Sequence, residues 1–550
     1  MTLSAEKSAY INEAKEINII VWSFGIIKLI IHLFCLEGYG LHADELYYIE
    51  LGRNFSWGFV DISPFVTWVA GISESLLGTS TSSFRIVPCF FSAGTVVLTG
   101  YITQLLGGRR LAIIIACSAI ICSPAFLATS YLLQPAVFDQ FFWTLLCYSI
   151  LAYKTSSKLI YLYLGAIALG LGMLNKFSIL LIAGSFGLAS MLIRAKSMQL
   201  IQKKFAGPFS LFLLLIMPNV VWQWVHNFPV FSYTLIVGQG AFNLEVRDYV
   251  LQVFLFHGAG VAVWSAGLFH LALDRKHEQS GIIWSVSLIV TLIFLAPLKG
   301  KLYYGLGAFP IFFAAGGVYW SLILEKVTST SRVVFISTLY IFAVLSLPMV
   351  IPFLPLNLCR TYIKEMVKIT GFSRPLKYEN GTSGEIPQFF ADMSDWKLLN
   401  RKTEHAAESY HLSSQPFMTV LTDNYGVAGA LKYYGRNGSF KVISAHNSLL
   451  MTSPKTLYMR EVIYLTKEKS AEIMDIAASV KLVDSLKTEN SHLSGIYIYL
   501  LTSPTPHFKE KYLRDRARFY PELRSTGLGN RILFTFKNFL EYLSKNFQFL

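Results

Sequence analysis

Residues 17–52 read INIIVWSFGIIKLIIHLFCLEGYGLHADELYYIELG, and this stretch decides the fold class. Residues 17–36 contain one charged side chain, Lys28, and no carboxylate. A helix needs roughly 20 predominantly apolar residues to cross a bilayer. The run ends at Glu37, and the adjacent carboxylates Asp44 and Glu45 follow, with His42 before them and Tyr47 and Tyr48 after. Charge just past the end of a span sits near water, so its placement leaves two readings open. One is a solvated loop start; the other is a catalytic base with its neighbour.

Outward from this stretch, ten more apolar runs follow, at about 84–106, 111–129, 134–153, 159–174, 177–193, 206–225, 249–272, 281–298, 303–323 and 333–354. Eleven spans are therefore expected. The runs 159–174 and 177–193 are parted only by Asn175 and Lys176, as a tight hairpin or one broken helix. Composition agrees, because 53% of the 550 residues are hydrophobic and 15% are charged, against about 25% charged in a soluble domain. An ordinary cytosolic enzyme, a disordered chain and a fibrous chain are excluded.

Charge divides the chain. Residues 1–355 hold 21 basic and 15 acidic side chains, and residues 356–550 hold 26 and 18. The expected division is a membrane domain over 1–355, a water-soluble α/β domain over 356–505 and a basic, aromatic tail over 506–550. The net charge of +14 does not imply nucleic acid, because about half of it falls in membrane loops. The six Cys lack metal or CxxC spacing and read as small core hydrophobes. The polar first residues precede an apolar run without a small-residue cleavage site, so a retained anchor is expected.

With the N-terminus in the cytoplasm, inner segments collect 14 Lys and Arg and outer loops collect six: Arg53, Arg85, Lys176, Arg247, Lys299 and Lys301. The positive-inside rule then places residues 356–550 on the non-cytosolic face. In the first outer loop, FVTWVAGISESLLG, residues 65–78, reads as an interfacial helix opened by Pro64. In the soluble part FMTVLTD, FKVISA, VIYLT and GIYIYLLTS read as short buried strands. GVAGALKYY and SAEIMDIAASVKLVDSL read as helices between them, giving a small mixed sheet.

Several outer-side residues could carry chemistry. Asp61 lies in GFVDISPF, and Asp139 lies about four residues into the fourth span. A carboxylate at that depth is costly, and is either functional or half of a buried structural pair. Lys176 occupies the turn of GLGMLNKFSILL, and Lys299 and Lys301 precede Tyr303 and Tyr304 in PLKGKLYYGLGAFP. Either a local anion or simple snorkelling explains Lys at these outer positions. Arg85 shares that ambiguity. No phosphate loop, GxSxG, HExxH or Walker motif is present. Carboxylates and basic groups thus converge on the outer face of an apolar bundle. A lipid-soluble donor carrying one phosphate fits such a place. A transporter or lipid flippase with a soluble domain is the competing class, although it more often shows internal repeats.

The stretch HADELYYIELGRNFSWGFVDISPFVTWVAGISESLLGTSTSSFRIV, residues 42–87, resembles the first outer loop of GT-C membrane glycosyltransferases. It is similar to bacterial members of the dolichyl-phosphate-mannose–protein mannosyltransferase superfamily, glycosyltransferase family 39 type, to which the lipid A aminoarabinose transferases are related. The family pattern falls on Asp44-Glu45, on Asp61 with Pro64, on Arg85, on Asp139, on Leu174-Asn175-Lys176 and on Lys301 to Pro310. Where the family often has Tyr-Asp-His-Pro-Pro, this chain has Val60-Asp61-Ile62-Ser63-Pro64, which removes any His-assisted role there.

The resemblance implies an enzyme of a bacterial inner membrane. It would move a sugar from a polyprenyl-phosphate donor to an acceptor hydroxyl on a lipid, glycan or protein, with inversion. It implies Asp44, as the base that takes the acceptor proton, and Glu45 as catalytic residues, and Asp61, Arg85, Asp139, Lys176, Lys301 and Tyr304 as substrate-binding residues. It is compatible with a divalent metal and equally with none. In the soluble part, LTDNYGVAGALKYYG and ISAHNSL resemble a subgroup of bacterial members through Asn424, Tyr425, His446 and Asn447.

Overall fold

The computed structural model describes residues 2–193, 203–233, 246–273, 280–295, 302–378, 381–410, 417–435, 438–457, 459–488, 491 and 493–519. The described residues of all eleven apolar runs fall mainly on helices. Five helices are long and apolar enough to cross a bilayer: Asn12–Leu33, Thr81–Leu105, Pro135–Ser156, Lys203–Val225 and Ser329–Val350. The run at 249–272 is a pair, Tyr249–Leu255 and Gly258–Leu273, bent by 99°. The other five runs centre on shorter apolar helices, such as Leu159–Asn175 and Ile179–Leu192. Outward faces stay apolar, with Leu214, Val333 and Val344 exposed, as a lipid-facing surface requires. Pro124, Pro135 and Pro310 each stand at the start of a helix, where a missing N–H costs nothing.

Between the first long helix, α1 (Thr2–Leu33), and the second lie two short ones, α2 (Ala43–Gly52) and α3 (Phe65–Leu77). Helix α2 begins with a capping box. The His42 ring accepts from the Asp44 N–H at 3.1 Å, and Glu45 accepts from the His42 N–H at 2.8 Å. These bonds satisfy N–H groups that a helix start leaves without partners. Helix α3 follows Pro64 as the sequence predicts. The two helices cross at Gly52 and Gly71, where a Cβ on either would strike the other's backbone.

The C-terminal part carries a five-stranded sheet ordered β2-β1-β3-β5-β4. Its strands are β1 (Met418–Thr422), β2 (Phe440–Ile443), β3 (Glu461–Thr466), β4 (Ala477–Ser485) and β5 (Tyr497–Pro504). Strands β1, β2 and β3 are parallel, and β5 is antiparallel to β3 and β4. Helix Tyr425–Tyr434 links β1 to β2.

One expectation is corrected. The pattern of SAEIMDIAASVKLVDSL predicts a helix, but its second half is β4, an edge strand paired with β5. Pairing with a hydrophobic neighbour outweighs a weak local helical pattern, and Val480 and Val483 suit a strand. The tail starts as helix Pro506–Phe519, with Phe508 and Tyr512 buried against the sheet; residues 520–550 lie outside the described residues. All six Cys are buried and free.

Candidate active site

Sequence neighbours Asp44 and Glu45 have different surroundings. Glu45 points inward and has no exposed surface. Its Oε1 accepts from Arg85 Nε and from the Leu133 N–H, both at 2.9 Å; its Oε2 accepts from Arg85 at 2.6 Å and from the His42 N–H at 2.8 Å. Arg85 is equally sealed and spends its other donors on the carbonyls of Leu36 and Gly40. A buried pair of this kind persists only when both ions are fully hydrogen-bonded. The pair ties α2 to helix Thr81–Leu105. In this arrangement neither side chain presents a free polar atom to a substrate, unlike the catalytic and substrate-binding parts that the resemblance implies for them.

Asp44, one residue earlier on the helix, turns the other way and keeps 30% of its side chain exposed. Its Oδ1 accepts from the Tyr425 hydroxyl at 2.8 Å, and its Oδ2 accepts from Gln134 Nε2 at 3.1 Å. The Asp44 charge and burial together push the Tyr425 phenol well above its ordinary pKa, so it remains a donor. Because His42 Nδ1 accepts the Asp44 N–H, the ring proton sits on Nε2, 3.7 Å from Asp392.

Asp61 forms a second centre. The Tyr47 hydroxyl donates to it at 2.8 Å, and the Ser448 hydroxyl donates to the same oxygen. Tyr47 accepts in turn from the Ser448 N–H at 2.9 Å, and Ser448 Oγ accepts from the Val60 N–H at 3.0 Å. Burial raises the Asp61 pKa despite these donors. Asn447, with φ of 52°, supplies the left-handed turn that precedes Ser448, a conformation Asn tolerates better than most residues.

Asp139 is buried in helix Pro135–Ser156, bonded by Trp143 Nε1 at 3.0 Å and by the Ser178 hydroxyl at 2.8 Å. The Ser178 contact fixes the turn that carries Lys176. The Lys176 ammonium stands 3.1 Å from the centroid of the Tyr304 ring and 5.5 Å from that of Tyr303, a close cation–π arrangement. The two halves of the site meet in a group of tyrosines. Tyr303 lies within electrostatic reach of Asp44 and Tyr48. Tyr48 is held protonated by burial first, then by the Asp44 and Asp61 charges.

The geometry therefore gathers Asp44, Asp61, Lys176 and Tyr304 around one tyrosine-lined region, with Asp139 behind Lys176. Lys301 lies outside the described residues. Among the described residues no group of three or more His, Cys, Asp or Glu side chains is arranged to hold a metal. Gln134, Tyr47 and Ser448 were not assigned roles from sequence. Tyr47 was visible beside Asp44, and Ser448 stands in the quoted ISAHNSL segment.

Residues 61–222 match the family model described as dolichyl-phosphate-mannose-protein mannosyltransferase. A search of curated protein sequences gives no match. Among solved structures the chain is similar to ArnT from Cupriavidus metallidurans in the apo state, with a TM-score of 0.60 at 10% identity over 88% of this chain and 98% of that one. It is also similar to the same protein bound to undecaprenyl phosphate, with a TM-score of 0.57 at 11% identity over 87% and 97%. The fold is thus of the GT-C, ArnT-like type. The matched segment lies within this fold, in the part that carries Asp61, Arg85, Asp139 and Lys176.

Proposed function

We propose that this protein transfers a sugar from a polyprenyl-phosphate donor to an acceptor hydroxyl on the non-cytosolic face, with inversion, and that Asp44 is the general base. The observation that carries this reading is Asp44 itself, the partly exposed carboxylate held by Gln134 and Tyr425. Asp44 takes the acceptor proton as the acceptor oxygen attacks the anomeric carbon. The bond from that carbon to the phosphate oxygen breaks, and the polyprenyl phosphate leaves. Lys176 stabilises its charge, Tyr304 orients Lys176, and Lys301 is proposed to add a second cation. Glu45 and Arg85 position α2 rather than touch substrate. Asp61 and the tyrosines line the sugar.

The structural relative bound to undecaprenyl phosphate supports a donor of this class. The charge asymmetry of the loops supports the outward orientation and a multi-pass location in a bacterial inner membrane. Proteoliposomes holding the protein and a radiolabelled polyprenyl-phosphate sugar test the reading. Labelled product on an added extract of envelope lipids and glycans is expected. Movement of the intact labelled lipid between leaflets, without sugar transfer, would instead favour the flippase alternative.

A further inference from the structure

We propose that a cleft on the sheet domain binds an uncharged sugar of the acceptor and presents it to Asp44. This rests on the transferase reading. The cleft holds about 360 Å³, within the range of roughly 300–1,000 Å³ usual for small-molecule pockets. It lies beyond the carboxyl ends of the parallel strands β1 and β3. From β1 the chain leaves through helix Tyr425–Tyr434 to β2 on one side, whereas β3 flanks the other side. Such a switch point opens a crevice where ligands of α/β sheets bind.

The lining suits a sugar. Asp423 Oδ2 accepts from the Thr466 hydroxyl at 3.0 Å and from the Tyr464 hydroxyl at 3.4 Å; Oδ1 accepts from no other side chain among the described residues. Asn424 uses its Oδ1 to cap the helix at the Val427 N–H, at 3.0 Å, which leaves its Nδ2 donor unspent among the described residues. An acceptor and a donor on successive residues match neighbouring sugar hydroxyls, each of which both gives and accepts. Val427, Leu465 and Ile496 add apolar surface for a ring face. Carboxylates outnumber cations here. Asp423, Glu468 and Glu472 line the cleft with Lys467, and Lys511 pairs with Glu468. That balance disfavours a phosphate, so the donor headgroup is not the occupant.

Two links connect the lining of the cleft to the surroundings of the proposed base. Asn424 precedes Tyr425, whose hydroxyl donates to Asp44. On the other rim Lys467 lies in the field of Asp392, which faces the ring of His42.

Saturation-transfer NMR on the full chain in detergent tests this. The probes are the methyl glycosides of glucose, mannose and galactose, with glucose 6-phosphate as the anionic control. At least one glycoside is expected to bind at millimolar concentration, and more tightly than the phosphate. Asp423→Ala should weaken it roughly tenfold or more, and Asp423→Asn, which keeps the side-chain shape, should weaken it in the same direction. Asp44→Asn should leave it unchanged. Absence of glycoside binding, binding that neither Asp423 variant alters, or equal binding of the phosphate overturns the proposal. Because the readout is binding, glycoside capture without sugar transfer would refute the transferase reading and retain a sugar-binding cleft.

Discussion

Tyr425 of the sheet domain donates a 2.8 Å hydrogen bond to Oδ1 of Asp44 although 381 residues separate them. The same helix meets α2 twice more. Gly429 lies against the Leu46 backbone, and Lys432 pairs with Glu50 at 2.9 Å. The sheet domain therefore helps to build the surroundings of the carboxylate. Tyr425→Phe removes one charge-assisted hydrogen bond, typically about 1.5–3 kcal/mol. Turnover should fall by roughly 10- to 150-fold, with donor affinity unchanged in an equilibrium binding assay.

Gly429→Ala tests the docking. A Cβ there would lie 2.9 Å from the Leu46 carbonyl group, which neither backbone can absorb without moving. Overpacking of this kind typically costs about 1–3 kcal/mol. The variant should melt at a lower temperature and lose turnover. Unchanged melting and turnover would mean that the helix does not bear on α2.

Glu45→Ala leaves Arg85 buried without its counter-ion. Breaking a buried pair typically costs about 3–5 kcal/mol, so poor yield or a sharply lowered melting temperature in detergent is expected. Replacing both residues by Met should recover part of the loss. A Glu45→Ala protein of normal stability and abolished turnover would return Glu45 to a catalytic role.

Asp61 gives a pH signature. Burial raises its folded pKa above the ordinary carboxylate value. Its contribution to stability is therefore fully present below the unfolded pKa and is lost as pH rises through the raised folded value. Asp61→Asn removes that titration, so its stability relative to the parent should improve as pH rises from 4 to 8. Thermal melts across that range check the slope; parallel curves would contradict it.

Much of this was legible in the residues. The described parts of the eleven apolar runs are mainly helical because apolar content at that length has few other solutions. Asp44 stood out because a carboxylate directly follows a span. The resemblance points to Asp44 as the base, but the residues alone do not separate it from Glu45, since the difference lies in which face of α2 meets Arg85, 40 residues from Glu45. Ser448 and Asp61 pair across 387 residues, and no local pattern announces such a contact. Strand β4 was misread because a short amphipathic segment fits either period until its partner β5 is known.

The most direct test of the central claim is single-turnover sugar transfer by Asp44→Asn from a labelled polyprenyl-phosphate sugar in proteoliposomes, with donor binding measured on the same preparation. The substitution keeps the shape and removes the proton acceptor. Transfer should slow by about 10²–10⁴-fold while donor binding stays within a factor of about two. Transfer at the parent rate would show that Asp44 is not the base and contradict the account.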